Sequence, residues 1–203
     1  MVMMNRFLVG YSGHSYPIIE ALKSMNLSFK GYFETVEKEK NPYDLNFFGY
    51  EIRYSFSDTD VVFIAIGDNY LRKMISEKLQ NRVQFFSIID SKSVVRSKIS
   101  QKGIIVNAGA IVQPQCFIGD GVIINSRAVI EHECILENYV HVAPGAVLSG
   151  NVIVDENTFI GSNATILPGI KIGKNCIIGA GSVVVNNVPE GEVWLGNPAR
   201  RFK

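Results

Sequence analysis

The sequence predicts an α/β, Rossmann-like domain over residues 1–90, followed by a three-sided parallel β-helix over residues 91–203. Three observations underlie this. First, from Ile118 the chain reads in sixes, IGDGVI, INSRAV, IEHECI, LENYVH, VAPGAV, LSGNVI and onward to VVNNVP, each opening on Ile, Leu or Val. Second, the fifth residue of each six is small or β-branched, as at Val122, Ala128, Cys134, Val140, Ala146 and Val152. Third, ahead of the repeat a strand, a glycine loop, a helix and another strand follow in the order that opens a doubly wound domain. A period of six fits neither an amphipathic helix nor a lone strand. Each six holds a short strand and a turn marked by Gly, Asn, Pro or Asp. Three sixes close one triangular coil, with the first residue pointing inward and the fifth packed beside it. One coil cannot bury its apolar face, so coils stack.

Residues 6–9 read as a short buried strand, and 10–15 as a loop. A helix follows with Ile18, Ile19, Leu22 and Met25 on one side. Residues 29–33 form a second strand, 34–41 a polar loop and 60–66 a third strand. A helix over 68–79 has Asp68 or Asn69 as its N-cap. A fourth strand over 84–89 leads into the column. There the register runs back through Val112 and Val106, falters at Ser100 and resumes at Val94. The end of the chain, with Trp194, Pro198, Arg200 and Arg201, closes the column.

A hydrophobic content of 47% supports a real core, and a net charge of +1 gives no electrostatic reason to expect nucleic acid or an anionic membrane. The apolar run 61–66 is far too short to span a bilayer. The start lacks the apolar stretch of a signal peptide, so a soluble, cytoplasmic protein is expected. Cys116, Cys134 and Cys176 all fall on fifth positions and read as buried small residues, not as metal ligands or a disulfide.

The chemistry concentrates on few residues. The loop 10–15 has Gly10 and Gly13 but lacks the third glycine of a dinucleotide fingerprint. Its backbone N–H groups at a helix N-terminus, with hydroxyls from Ser12 and Ser15, suit a phosphate or sugar; a plain strand-to-helix turn is the competing reading. Of the three histidines, His132 and His141 lie in the repeat, both on outward positions. A solvated surface histidine is the ordinary alternative, but His132 precedes Glu133, and a carboxylate beside an imidazole orients the ring and raises its basicity. Eighteen residues, three sixes, make one coil, so Gly150 stacks over His132 and its bare N–H is a candidate oxyanion donor. Ser162 and Ala180 stack at another corner, with Pro144 one coil earlier, as a shallow groove of small residues. His141 lies half a coil from His132, toward the far side of the prism. The expectation is a site shared between copies, taking His132 from one protomer and His141 from the next, in a trimer.

At these residues the sequence resembles the sialic acid O-acetyltransferase-type hexapeptide transferases, and among them the N-acetyltransferases of nucleotide-linked 4-amino sugars of the bacillosamine type. The resemblance spans essentially the whole chain and rests on the hexapeptide run, His132-Glu133 with His141 nine residues on, Asn125, the Gly-x-Ser-Gly-His loop and the Gly-Asn-Pro-Ala end. It implies a left-handed β-helix, a homotrimer, acetyl-CoA as donor and no metal. It places the general base on His132, the group acting on it on Glu133 and an acetyl-CoA contact near the thioester on His141. Ser162 and Ala180 then contact CoA, and Asn125 lines the site. The nucleotide sugar falls to Ser12, Gly13, His14 and Gly67. An acidic pair of the family falls on Glu34 and Thr35, where this chain departs from the pattern. Competing readings are sugar or sialic acid O-acetylation with the same base, a zinc enzyme, which would need a third ligand on the column, and a non-catalytic nucleotide-sugar-binding protein.

Overall fold

The computed structural model describes residues 4–202. The N-terminal region forms a five-stranded parallel sheet. Its elements are β1 (Asn5–Val9), α1 (Ser15–Ser24), β2 (Gly31–Phe33), β3 (Asn46–Phe47), β4 (Asp60–Ile64), α2 (Asn69–Leu79) and β5 (Gln84–Phe85), with strand order β3-β2-β1-β4-β5. The central strands β1 and β4 are near-continuous apolar runs because helices cover both faces of the sheet. Asp68 caps α2 by accepting from the Leu71 N–H at 2.7 Å. Met25 lies just past α1 and is exposed, so the buried side of that helix is Ile18, Ile19, Ala21 and Leu22.

The strand expected over 84–89 is two strands in two different sheets. Gln84–Phe85 pairs with β4, and Ile88–Ile89 pairs with Ile105–Val106 as the first rung of the column. The strand β3 and the turn Glu51–Arg53 have no counterpart in the sequence reading, since a two-residue strand carries no periodicity.

The column has three faces of stacked two-residue strands. The first face begins Ile88–Ile89, Ile105–Val106, Ile123–Ile124, His141–Val142 and Phe159–Ile160. The second includes Val129–Ile130 and Val147–Leu148, and the third includes Ile135–Leu136 and Ile153–Val154. Register is parallel, as in Ile123↔His141 and Ile124↔Val142. First and fifth residues of the sixes fill the interior as expected. Polar residues there are satisfied: Thr158 Oγ1 donates to Gly173 O at 2.7 Å and accepts from Cys176 N at 3.0 Å.

The first coil is one residue short. Val94 pairs with Ile111 and Val95 with Val112, so Val95 faces inward while Val94 is 44% exposed. The expected register at Val94 is thus off by one. The missing residue falls after Val95, where Ser97 Oγ replaces a rung by donating to Gln113 O and accepting from Cys116 N. Cys116, at this frayed end, is half-exposed, whereas Cys134 and Cys176 are buried.

The two regions share a core. Ile18, Leu22, Tyr32 and Phe63 of the sheet domain pack with Ile88, Ile105 and Ile123, the outward row of the first face. That contact places the domain over the next residue of the row, His141.

Candidate active site

From Ile118 to Val183 the fourth residue of each six adopts a positive φ, and Asn or Gly fills most of these positions. Glu133 stands there with φ of 62°. A glutamate in this region costs about 1 kcal/mol more than glycine, so a side-chain role is indicated at this position. Its Oε2 lies 2.9 Å from His132 Nδ1. That bond fixes the Nδ1–H tautomer and leaves Nε2 as the free base. The ring lies over Gly150: a Cβ added there would meet His132 Nε2 at 2.7 Å. The Gly150 N–H, like those of most third positions, has no protein acceptor among the described residues. His132, Glu133 and Gly150 therefore meet at one corner, between the second and third faces, with both side chains open to solvent at 59% and 64% exposure.

His141 is 7% exposed, against the expectation of an open outward residue. It does point out of the prism, but the sheet domain covers it. Nδ1 lies 3.1 Å from Gly67 O and Nε2 lies 3.3 Å from Asn125 Nδ2, a pattern that makes Nδ1 the donor and Nε2 the acceptor. Asn125 Oδ1 in turn accepts from Asn107 Nδ2 at 3.1 Å. Burial, then the Arg72 guanidinium, lowers the His141 pKa from 6.5 to about 4, with His14 adding to the effect and the Gly67 carbonyl opposing it. The His14 ring lies 5.8 Å away, and its own pKa is lowered by burial and by Arg72.

Between those two values for His141 the unfolded chain carries a proton that the folded chain excludes. Stability therefore rises with pH from about 4 to 6.5 and is complete above that window. Thermal midpoints should fall as pH drops from 7 to 4.5, and His141→Asn should flatten that fall. An unchanged slope in the variant would refute the assignment.

Ser162 and Ala180 stack on a different edge, between the first and second faces, where Asn125 also sits; the Gly181 N–H donates to Ser162 O at 2.8 Å. Their own N–H groups have no protein acceptor among the described residues, which fits an extended ligand with amide carbonyls. Within one chain the second face separates this edge from His132.

The sheet domain holds a cleft of about 350 Å³ at the C-terminal ends of β1, β2 and β4, the usual ligand position in such sheets. Ser12, Glu34, Thr35 and Gly67 line it, whereas Gly13 and His14 do not. The Ser15 hydroxyl is not available to a ligand, because it is buried and donates to Ser12 O at 2.7 Å. Tyr50, Glu51 and Lys78 line the cleft without having been singled out in the sequence, where each looks like an ordinary surface residue. Among the described residues no three His, Cys, Asp or Glu side chains gather as a metal site, and no helix is long and apolar enough to cross a membrane.

Residues 5–79 match the family described as PglD N-terminal domain, and residues 115–150 and 151–186 match bacterial transferase hexapeptide (six repeats). The chain belongs to the hexapeptide transferases. This transferase finds no match among curated protein sequences. Solved structures resemble it over nearly its full length. The acetyltransferase domain of PglB from Neisseria gonorrhoeae in complex with acetyl coenzyme A is 27% identical, with 99% of this chain and 100% of that one covered and a TM-score of 0.92. PerB from Caulobacter crescentus in complex with CoA and GDP-perosamine is 29% identical, with 100% and 99% covered and a TM-score of 0.91. A histidine-to-asparagine variant of perosamine N-acetyltransferase from the same organism, also with CoA and GDP-perosamine, is 28% identical, with 100% and 98% covered and a TM-score of 0.90. The sequence-based resemblance and the two-part fold agree with these likenesses.

Proposed function

We propose that this hexapeptide transferase is an acetyl-CoA-dependent N-acetyltransferase acting on the 4-amino group of a nucleotide-linked amino-deoxy sugar, with His132 as general base. The observation that carries the reading is the His132–Glu133 bond of 2.9 Å with the ring set over Gly150. The full-length likeness to acetyltransferases bound to acetyl-CoA or to CoA and GDP-perosamine supports the donor and the acceptor class.

The acetyl donor supplies an activated thioester carbonyl. His132 Nε2 takes a proton from the amine as its nitrogen bonds to the carbonyl carbon, and the C–S bond then breaks with the CoA sulfur leaving as the thiol on receiving that proton, while Glu133 holds the other ring nitrogen. In this reading the Gly150 N–H donates to the carbonyl oxygen as negative charge develops there. Ser162 and Ala180 offer backbone N–H groups to the arm of CoA, and Asn125 and His141 border that edge. Because one chain holds the His132 corner and the Ser162 edge on opposite sides of a face, the reading requires a neighbouring copy, and a homotrimer of columns supplies three equal clefts. Ser12, Glu34, Thr35 and Gly67 receive the nucleotide. Protein of this kind would work in the cytoplasm, where acetyl-CoA and nucleotide sugars are made.

Thiol release from acetyl-CoA, measured against GDP-, UDP- and CMP-linked sugars with and without a 4-amino group, tests the reading. Release only with a 4-amino-4,6-dideoxy sugar is expected. Equal release with the 4-hydroxy analogues would move the activity to O-acetylation, and no release with any acceptor would remove it.

A further inference from the structure

The cleft of the sheet domain contains a carboxylate that no cation and no other residue's donor engages among the described residues. Glu51 opens the turn Glu51–Arg53 and is 4% exposed, yet it borders the cavity. Its carboxylate meets only its own backbone N–H, and no cation closes an ion pair with it among the described residues. Burial pushes its carboxyl pKa up and Glu34 adds to this, while Lys78 and Arg82 act the other way without contact. A buried, unpaired carboxylate is destabilising unless something supplies donors.

The other acid of the cleft is already engaged. Glu34 Oε1 accepts from Tyr11 N at 2.9 Å and pairs with Lys38 at 3.2 Å. It stands just past β2, where the acid of a doubly wound fold meets a ribose. Beyond it the walls are Phe33, Tyr50, Leu71 and Met74, a slot of apolar and aromatic groups suited to a flat ring. Glu51 is the acid on that lining without an ion-pair partner among the described residues, and Lys78 lines it too. Guanine is the common base with two adjacent N–H donors on one edge, N1–H and the N2 amino group, which match the two oxygens of a carboxylate. Hypoxanthine offers one of them. Uracil sets its N3–H between two carbonyl oxygens, which a carboxylate repels. Adenine and cytosine set one amino group beside a ring acceptor.

We propose that the cleft selects a guanine nucleotide, with Glu51 accepting hydrogen bonds from N1–H and N2–H of the base. This rests on the nucleotide-sugar reading above and goes further by naming the base. Calorimetric binding of GDP, IDP and UDP to the full chain tests it without any acetyl transfer. GDP should bind at least about tenfold tighter than IDP or UDP, because each lost partner leaves the buried acid underbonded. Glu51→Gln should bring GDP to within about threefold of IDP. Wild-type protein that binds IDP or UDP as tightly as GDP overturns the proposal, as does a Glu51→Gln variant that keeps the full preference. If UDP wins and a UDP-linked amino sugar releases thiol, this inference falls and the proposed activity stands. If none of the three nucleotides binds, both fall.

Discussion

Replacing His132 by alanine is expected to lower kcat by about 10²–10⁴-fold while leaving the protein folded and assembled. The side chain is 59% exposed and its one hydrogen-bond partner, Glu133, is equally open to solvent, so truncation creates no cavity and strands no buried group. The thermal midpoint should not move. Because the base acts only as the amine attacks, kcat and kcat/KM should fall together, with the KM for acetyl-CoA little changed. Near-normal kcat, or loss of kcat accompanied by a lowered thermal midpoint, would show that His132 is a surface or structural residue.

The part of this corner that could be read in the chain is the part that the repeat dictates. Eighteen residues per coil stack Gly150 over His132, and the ring does lie over that glycine. The same rule gave the inward rows and the small fifth positions. The repeat speaks only of the column's own geometry, however. It places His141 outward, which is correct, and says nothing of the second domain that closes over it. Burial of His141 is a non-local result of α1 docking on Ile88, Ile105 and Ile123, residues that a six-residue period marks merely as outward aliphatics. The slip from Val94 to Val95 was hidden because both positions are valine, so the missing residue left no change of residue type to notice. Glu51 and Arg72 escaped for a related reason: a charged residue read from its neighbours in sequence has the pattern of a solvated side chain, and only the fold shows that each is buried.

Arg72 is where the two domains are fastened, and its removal should be the most damaging single change to stability. It sits on α2 at 1% exposure. Among the described residues no carboxylate pairs with it. Instead Nε donates to Gly121 O at 2.9 Å, Nη2 to Tyr139 O and Asn69 Oδ1 at 2.8 Å each, and Nη1 to Ile66 O at 3.0 Å. Burial lowers its pKa to about 9, which still leaves it charged at neutral pH. The planar guanidinium thus joins the loop after β4 to two turns of the column, and those carbonyls have no other donor among the described residues. Arg72→Met keeps the volume of the stem and removes every bond. It should cost roughly 3–5 kcal/mol, since one buried carbonyl, that of Gly121, and two part-buried ones, of Ile66 and Tyr139, lose their partner at about 1–3 kcal/mol each with partial relaxation. For a chain of this size that lowers the thermal midpoint by about 10 °C. Arg72→Lys should recover little, because an ammonium cannot reach both turns of the column at once. The same change removes a cation facing His141, so the histidine should titrate closer to its ordinary value in Arg72→Met, which NMR of the ring would read directly. A midpoint within about 2 °C of wild type would mean that the apolar contact of α1 with the column suffices by itself, and that the guanidinium network is not what holds His141 beneath Gly67.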